Sequence, residues 1–420
     1  MKGIKSKGER LFLFFFLIAS YFGKAQGTSN ELSYFLSAAE KNSPLLNDYN
    51  NQVLITKIDS LKLRANYGFI FSGEGNATYA PSVKGWGYDN ALSNSHTLFA
   101  GVRVMREFLS RNNLNTRLKN YNLGIAQILA QKNITQQVLK KQITDQYITT
   151  YSSQKQLAIT KEVLHLLEQE DLVLKKLTQA AVFKQTDYLN FKVSQQQNQL
   201  AYEQKKVEME ANYALLNYLC GIVDDRVENL QEPIFSQMDA LPFDESVYAH
   251  SFQADLAKIA NDGQLIGYDY KPKISAYADG GYQSSFVLTP YKNFGLSTGI
   301  TLSIPIYDGH KKKMLLDQNK IQLDSRTQYA AFAKKQYQQQ VLQIQNQMKQ
   351  YSQLKEKALH DMKYAETLTE ANAKQLPTGD VRTVDFILSV NNLLTLKSMV
   401  VQYDTMLLNL ENQLQNIVLP

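Results

Sequence analysis

Residues Leu296-Ser-Thr-Gly-Ile-Thr-Leu-Ser-Ile-Pro-Ile306 decide the fold. Leu296, Thr298, Ile300, Leu302, Ile304 and Ile306 fall on one face. Ser297, Gly299, Thr301, Ser303 and Pro305 fall on the other. A period of two held over eleven residues is a strand pattern. About 9–11 residues with an apolar and a polar face is also what a membrane-crossing strand requires. An ordinary hairpin with one face packed on a core gives the same pattern.

Working outward, the same parity recurs upstream at Leu98, Ala100, Val102 and Val104. Each of these strands has a predecessor. Phe69–Tyr79 alternates Phe69, Phe71, Gly73, Gly75, Ala77 and Tyr79 with Ile70, Ser72, Glu74, Asn76 and Thr78, and Lys273–Gln283 alternates more weakly. The strands are expected over 68–80, 96–106, 273–284 and 295–307. The intervening loops, 81–95 and 284–294, are rich in Gly, Ser, Asn and Pro. Tyr79, Trp86, Tyr88, Tyr282, Phe286, Tyr291 and Phe294 crowd the strand ends, as an interfacial girdle would. Glu74 and Arg103 fall within strands and need a lumen or edge position, because charge facing lipid is costly.

Between Pro81 and Pro233, and between Pro305 and Pro377, there is no proline. Those stretches are filled with good helix formers. Val341, Ile344, Met348, Tyr351, Leu354, Ala358, Met362, Ala365 and Leu368 step by three or four, a coiled-coil-like seam. Long helices are expected over 108–180 and 310–376, with return helices over 185–220 and 381–418. The first would extend ~100 Å at 1.5 Å per residue. The turns between them lie near Ala181 and at Leu376-Pro377-Thr378-Gly379-Asp380, the latter a strong breaker signal.

Lys184-Gln-Thr186-Asp187-Tyr-Leu189 matches Arg382-Thr383-Val-Asp385-Phe-Ile387 at an offset of 198. Leu98–Val104 matches Leu296–Leu302 at the same offset. A tandem repeat follows. The first copy covers 26–221, with helices over 30–66, and the second covers 244–420, opening with a helix over 244–267. Residues 222–243, with Pro233 and Pro242, form the linker.

Lys2, Lys5, Lys7 and Arg10, the apolar run Leu11–Ile18 and Gly23-Lys24-Ala25 read as a signal peptide over 1–25. That segment holds five cations against Glu9. It therefore carries +4 of the chain's +6, and the +2 that remains implies no nucleic-acid partner. Cys220 is the single cysteine, so no intrachain disulfide exists and no lipid-bearing cysteine follows the cleavage point. No later run reaches ~18 consecutive apolar residues, so membrane entry would be as a barrel. Four strands cannot close one, since ~8 are needed. Other subunits must complete it.

The chain resembles the TolC-type outer membrane efflux proteins, the outer membrane factor family, over about 30–419. Gly299-Ile-Thr-Leu-Ser-Ile-Pro305-Ile-Tyr-Asp-Gly309 resembles the family's strand-to-helix junction. Ala211–Gly221 resembles the close of its first repeat, with Cys220 in place of the usual leucine, and Gly379–Asp385 resembles its second tip. The chain departs from the pattern at Ala181, where the second tip has Gly379, and at Arg106–Arg111, which lacks the proline and glycine. The resemblance implies a mainly α fold with a transmembrane β part: a homotrimer with a 12-stranded β-barrel and a periplasmic α-helical tunnel. The linker would form an equatorial region. The chain would sit in the outer membrane with most of its mass in the periplasm. It would act as the exit duct of a tripartite efflux or type I secretion system. Its partners would be outer-membrane lipid, a periplasmic adaptor and an inner-membrane pump of RND or ABC type.

Thr186, Asp187, Arg382, Thr383 and Asp385 are the candidates for the periplasmic aperture. Carboxylates there would attract cations, and Arg382 with Thr383 could hydrogen-bond the entrance shut. Asp187 and Asp385 could equally serve only the first turn of a helix. Lys311-Lys312-Lys313 could face anionic headgroups or simply open a solvated helix. His96, His165, His250, His310 and His360 make no metal-ligand spacing, and no phosphate loop or nucleophile motif is present, so no metal, cofactor or catalytic residue is expected. A periplasmic adaptor would need sandwich domains around one hairpin. A secreted coiled-coil scaffold would not need the alternating strands.

Overall fold

The computed structural model describes residues 30–81, 83, 85–87, 96–235, 240–284 and 292–419. The expected signal peptide, Tyr88, Phe286 and Tyr291 lie outside the described residues. The element order is α1 (Leu32–Asn42), α2 (Pro44–Asn66), β1 (Ile70–Tyr79), β2 (His96–Phe108), α3 (Arg111–Gln179) and α4 (Gln185–Cys220). Then follow α5 (Val247–Asp269), β3 (Lys273–Ser284), β4 (Phe294–Ser303), α6 (Lys311–Gln375) and α7 (Thr383–Gln415).

Local chemistry sets the boundaries. The helical stretch expected over 30–66 is interrupted at Ser43, and Pro44 opens α2, because proline is tolerated at a helix start and not inside one. Ser110 opens α3, its Oγ accepting from Asn113 N at 3.3 Å. A serine cap thus serves the junction that lacks proline and glycine. Asp308 plays the corresponding part for α6, accepting from Lys312 N at 2.7 Å. Gly221 closes α4 in left-handed backbone (φ 65°), with Ile222 N reaching back to Asn217 O at 2.9 Å.

Several strand boundaries differ from expectation, β1 running only from Ile70 to Tyr79 and β4 starting at Phe294. β2 runs on to Phe108 because β3 continues to pair with it as far as Ile274. β4 stops at Ser303 instead of reaching 307. Pro305, just beyond, has no N–H to donate.

The chain forms two compact units that cut across the tandem repeat. Among the described residues, the first gathers those up to Pro44, those within Thr135–Leu241 and those from Gln336 onward. It has two apolar cores. One joins Phe35 and Ala39 of α1 to Ile143, Tyr147 and Tyr151 of α3 and Tyr213, Leu216 and Cys220 of α4, with Leu230 beyond. The other joins Leu167 and Leu174 of α3 and Phe191 of α4 to Leu376 and to Phe386 and Val390 of α7.

Residues 222–235 and 240–242 have no regular secondary structure. Side chains satisfy this backbone. Gln154 donates to Glu228 O at 2.7 Å and accepts from Leu230 N at 2.9 Å. By length and mean hydropathy α7 could cross a membrane. Two of its charges instead pair with other helices: Lys397 with Glu162 at 2.8 Å, and Asp404 with Lys355.

The second unit holds Leu45–Ile134 and Pro242–Lys335. Polar clamps tie its helices. Asn261 of α5 donates to Thr116 O of α3 at 3.2 Å, and Asn319 of α6 donates to Ile259 O at 2.9 Å. Asp255 of α5 accepts from Gln127 and Arg326. Leu54, Ile58 and Leu61 of α2, spaced by four and three, stay exposed.

The strands form one antiparallel sheet, β1-β2-β3-β4. β2 of the first repeat pairs directly with β3 of the second. β1 and β4 are left as open edges.

Candidate functional site: the helical tips and the two faces of the sheet

The two tips have matching backbone at the offset of 198. Ala181 and Gly379 both take positive φ, 58° and 77°. The residues that open the return helices, Lys184 and Arg382, have φ/ψ of −72/147 and −72/143. Asp187 N bonds Lys184 O at 3.0 Å, and Asp385 N bonds Arg382 O at 3.0 Å. Nothing crowds a side chain at 379, because a Cβ there would lie 3.6 Å from Val182 Cγ1. The tips are joined through the shared core of Leu174, Phe191, Leu376 and Phe386.

The side chains differ between the tips. Arg382 grips Asp385 with Nε to Oδ2 at 2.8 Å and Nη2 to Oδ1 at 2.9 Å. This guanidinium holds the Asp385 carboxyl below the usual carboxylate range. Both groups are solvent-facing, Arg382 at 83% side-chain exposure. Thr186 is exposed and Asp187 half-buried. Thr383, expected to help Arg382 in hydrogen bonding, is instead buried, and its Oγ1 has no partner.

A second ion pair near the tip was not legible in the sequence. Lys192 of α4 meets Asp171 of α3 at 3.0 Å. Its partners are 21 residues apart, so only the hairpin brings them together.

The junction residues Gly309 and His310 both take positive φ, 66° and 69°, turning the chain from strand to helix. Pro305 lies between strand end and turn, where Ile304, Ile306 and Tyr307 are exposed.

The register sorts the sheet into two faces. Opposed residues Phe71 and Val104, Val102 and Gly280, Ala278 and Thr298, and Ala276 and Ile300 place most of the aliphatics of the sheet on one side. These side chains have no cover, with Leu296 83% and Ile300 78% exposed.

Aromatics bound this face at both ends. At the loop end Tyr79 packs on His96, with centroids 5.0 Å apart, and Tyr282 packs on Phe294 at 5.4 Å. Trp86 is exposed in the adjoining loop. At the helix end Phe69 and Phe108 flank the Arg106 guanidinium, at 5.0 and 5.4 Å. That second band was missed in the sequence, because it needs the register of β1 on β2.

The opposite face carries most of the polar side chains, with Ile70, Phe99 and Met105 among them, and one ionic row crosses it. Arg103 reaches Glu74 through Nη1 at 3.0 Å and Asp279 through Nη2 at 2.9 Å. Ser297 Oγ donates to Asp279 Oδ1. The four residues come one from each strand. The charges expected to need a lumen or edge position, Glu74 and Arg103, therefore share the polar face and pair there. The Arg103 guanidinium lies 5.2 Å from the Tyr277 ring centroid. Gly299 makes room for that ring, since a Cβ there would fall 2.6 Å from it.

No protein-family model and no curated protein sequence matches the chain. Solved structures do. The outer membrane protein VceC of Vibrio cholerae aligns with a TM-score of 0.73 at 12% identity, covering 91% of this chain and 94% of that one. The chain has the outer membrane factor fold. The CmeC outer membrane channel of Campylobacter jejuni aligns at 0.71 and 11% identity, over 92% and 85% of the two chains. The open state of the MtrE outer membrane channel of Neisseria gonorrhoeae aligns at 0.69 and 12% identity, over 93% and 91%. At such identities the outer membrane factor fold is what is shared.

Proposed function

We propose that this protein is an outer-membrane exit duct of a tripartite efflux or type I secretion system. The observation that carries the reading is the four-stranded sheet with two open edges, one uncovered apolar face bounded by aromatics, and one polar face. A lone soluble chain would leave a large apolar surface in water and two edges unpaired. Three copies joined edge to edge give twelve strands, a closed barrel with the apolar face toward lipid. Tyr79, Trp86, Tyr282 and Phe294 then sit at one membrane interface. The exposed stripe Leu54, Ile58 and Leu61 on α2 supplies further surface for neighbouring copies.

The helical tips form the periplasmic entrance, with Ala181 and Gly379 at the turns and Arg382–Asp385 beside the aperture. A periplasmic adaptor and an inner-membrane pump of RND or ABC type supply cargo and energy, and the duct supplies passage. The solved channels that share the fold support this reading.

Extraction from the outer-membrane fraction, sizing in detergent and conductance in planar bilayers test it. A trimer that conducts is expected, and a water-soluble monomer would overturn the reading. Arg382→Ala with Asp385→Ala is expected to raise conductance. Unchanged conductance would remove that pair from the entrance.

A further inference from the structure

We propose that the Glu74–Arg103–Asp279–Ser297 row is a charge-selecting band inside the barrel, separate from the helical entrance. The inference rests on the channel reading, because it needs the polar face to line a lumen. Three observations carry it. The row is the ionic contact that spans all four strands among the described residues. It lies at mid-strand, on the face opposite the uncovered aliphatics. And it is held stiffly: one guanidinium bridges two carboxylates from different strands while lying against Tyr277, whose ring fills the space left by Gly299.

Its charge does not cancel. Two carboxylates against one guanidinium leave one negative charge per chain at this level. The other charged residues of that face, Glu107 and Lys273, stand near the strand ends. Repeated around a closed barrel, the band favours small cations and repels anions, as carboxylate rings do in pores. Arg103 sets the strength of that preference by masking part of the acidic charge. A band that only fixed strand register would hold the sheet together without acting on passing ions.

The test uses full-length protein in planar bilayers under a KCl gradient, read as reversal potential. The wild type is expected to reverse toward the potassium equilibrium potential. Asp279→Asn and Glu74→Gln shift it toward chloride, and Arg103→Gln shifts it further toward potassium. All three shifts shrink in molar salt, where the Debye length falls to about 3 Å.

If a charge-removing variant does not assemble, Ser297→Cys leaves the row's ion pairs in place. It can be modified in the assembled channel with a cationic or an anionic thiosulfonate, and opposite shifts are expected. Cys220 is buried and does not compete. A conducting channel whose reversal potential ignores every one of these changes overturns the band alone. A wild-type protein that does not conduct overturns the channel reading as well.

Discussion

Ala181 and Gly379 occupy equivalent positions 198 residues apart and share left-handed backbone, φ 58° and 77°. Only one of them is the residue that such backbone favours. A side chain in this region costs about 1–2 kcal/mol. Ala181→Gly is therefore expected to stabilise the first tip by about 1 kcal/mol, and Gly379→Ala to destabilise the second by a similar amount. The Gly379→Ala cost is conformational, since the added methyl meets Val182 only at ordinary contact distance. Hydrogen exchange of the tip amides measures both, with protection rising in the first variant and falling in the second.

Arg382 and Asp385 give the second tip a dependence on pH. Asp385 is held below the ordinary carboxylate range by its bonds to Arg382. A lowered folded pKa adds stability above the unfolded value, and that stability is lost as pH falls through the folded value. At neutral pH the amides after Arg382 are expected to be better protected in the wild type than in Arg382→Ala, and that difference is expected to vanish as pH falls through the folded value. Equal acid sensitivity would mean that the pair does not tie the turn.

Tyr147 is fully buried, with its hydroxyl 2.8 Å from Asn30 O and 2.7 Å from Gln231 O. One hydroxyl thus serves both the segment before α1 and the linker. Tyr147→Phe removes the hydroxyl donor from Gln231 O and one of two donors from Asn30 O, which Gln231 N still serves at 3.0 Å, and is expected to cost about 1 kcal/mol. Denaturant unfolding in detergent reads this. A loss well below 1 kcal/mol would mean that water replaces the hydroxyl.

Cys220 lies in the same core, and burial pushes its thiol up to about 12. The thiolate is the reactive form. Maleimide labelling near pH 8 is expected to be very slow in the folded protein and rapid in denaturant. Fast labelling of the folded protein would show that the α1–α4 core opens.

Much of this molecule was readable locally. The strands announced themselves through alternation of period two, the helices through long proline-free stretches, and the tips through breaker residues and a shared offset. The Arg382–Asp385 pair was readable too, because a spacing of three on a helix start puts both side chains on one side. Where the reading missed, distant partners were responsible. Thr383 looked like an aperture donor, but the helices packed around it bury it. β4 stops at Ser303 although the alternation continues to Ile306, because hydrogen-bond pairing, not side-chain pattern, ends a strand.

By itself the sequence determined which residues alternate, which run on as helix and where the chain turns, since these follow from side-chain pattern and backbone sterics within a few residues. Only the tertiary structure decided that β2 of one repeat lies against β3 of the other. That register is a choice among strands far apart in the chain. It brings Asp279 to Arg103 across 176 residues, and no local pattern contains that distance.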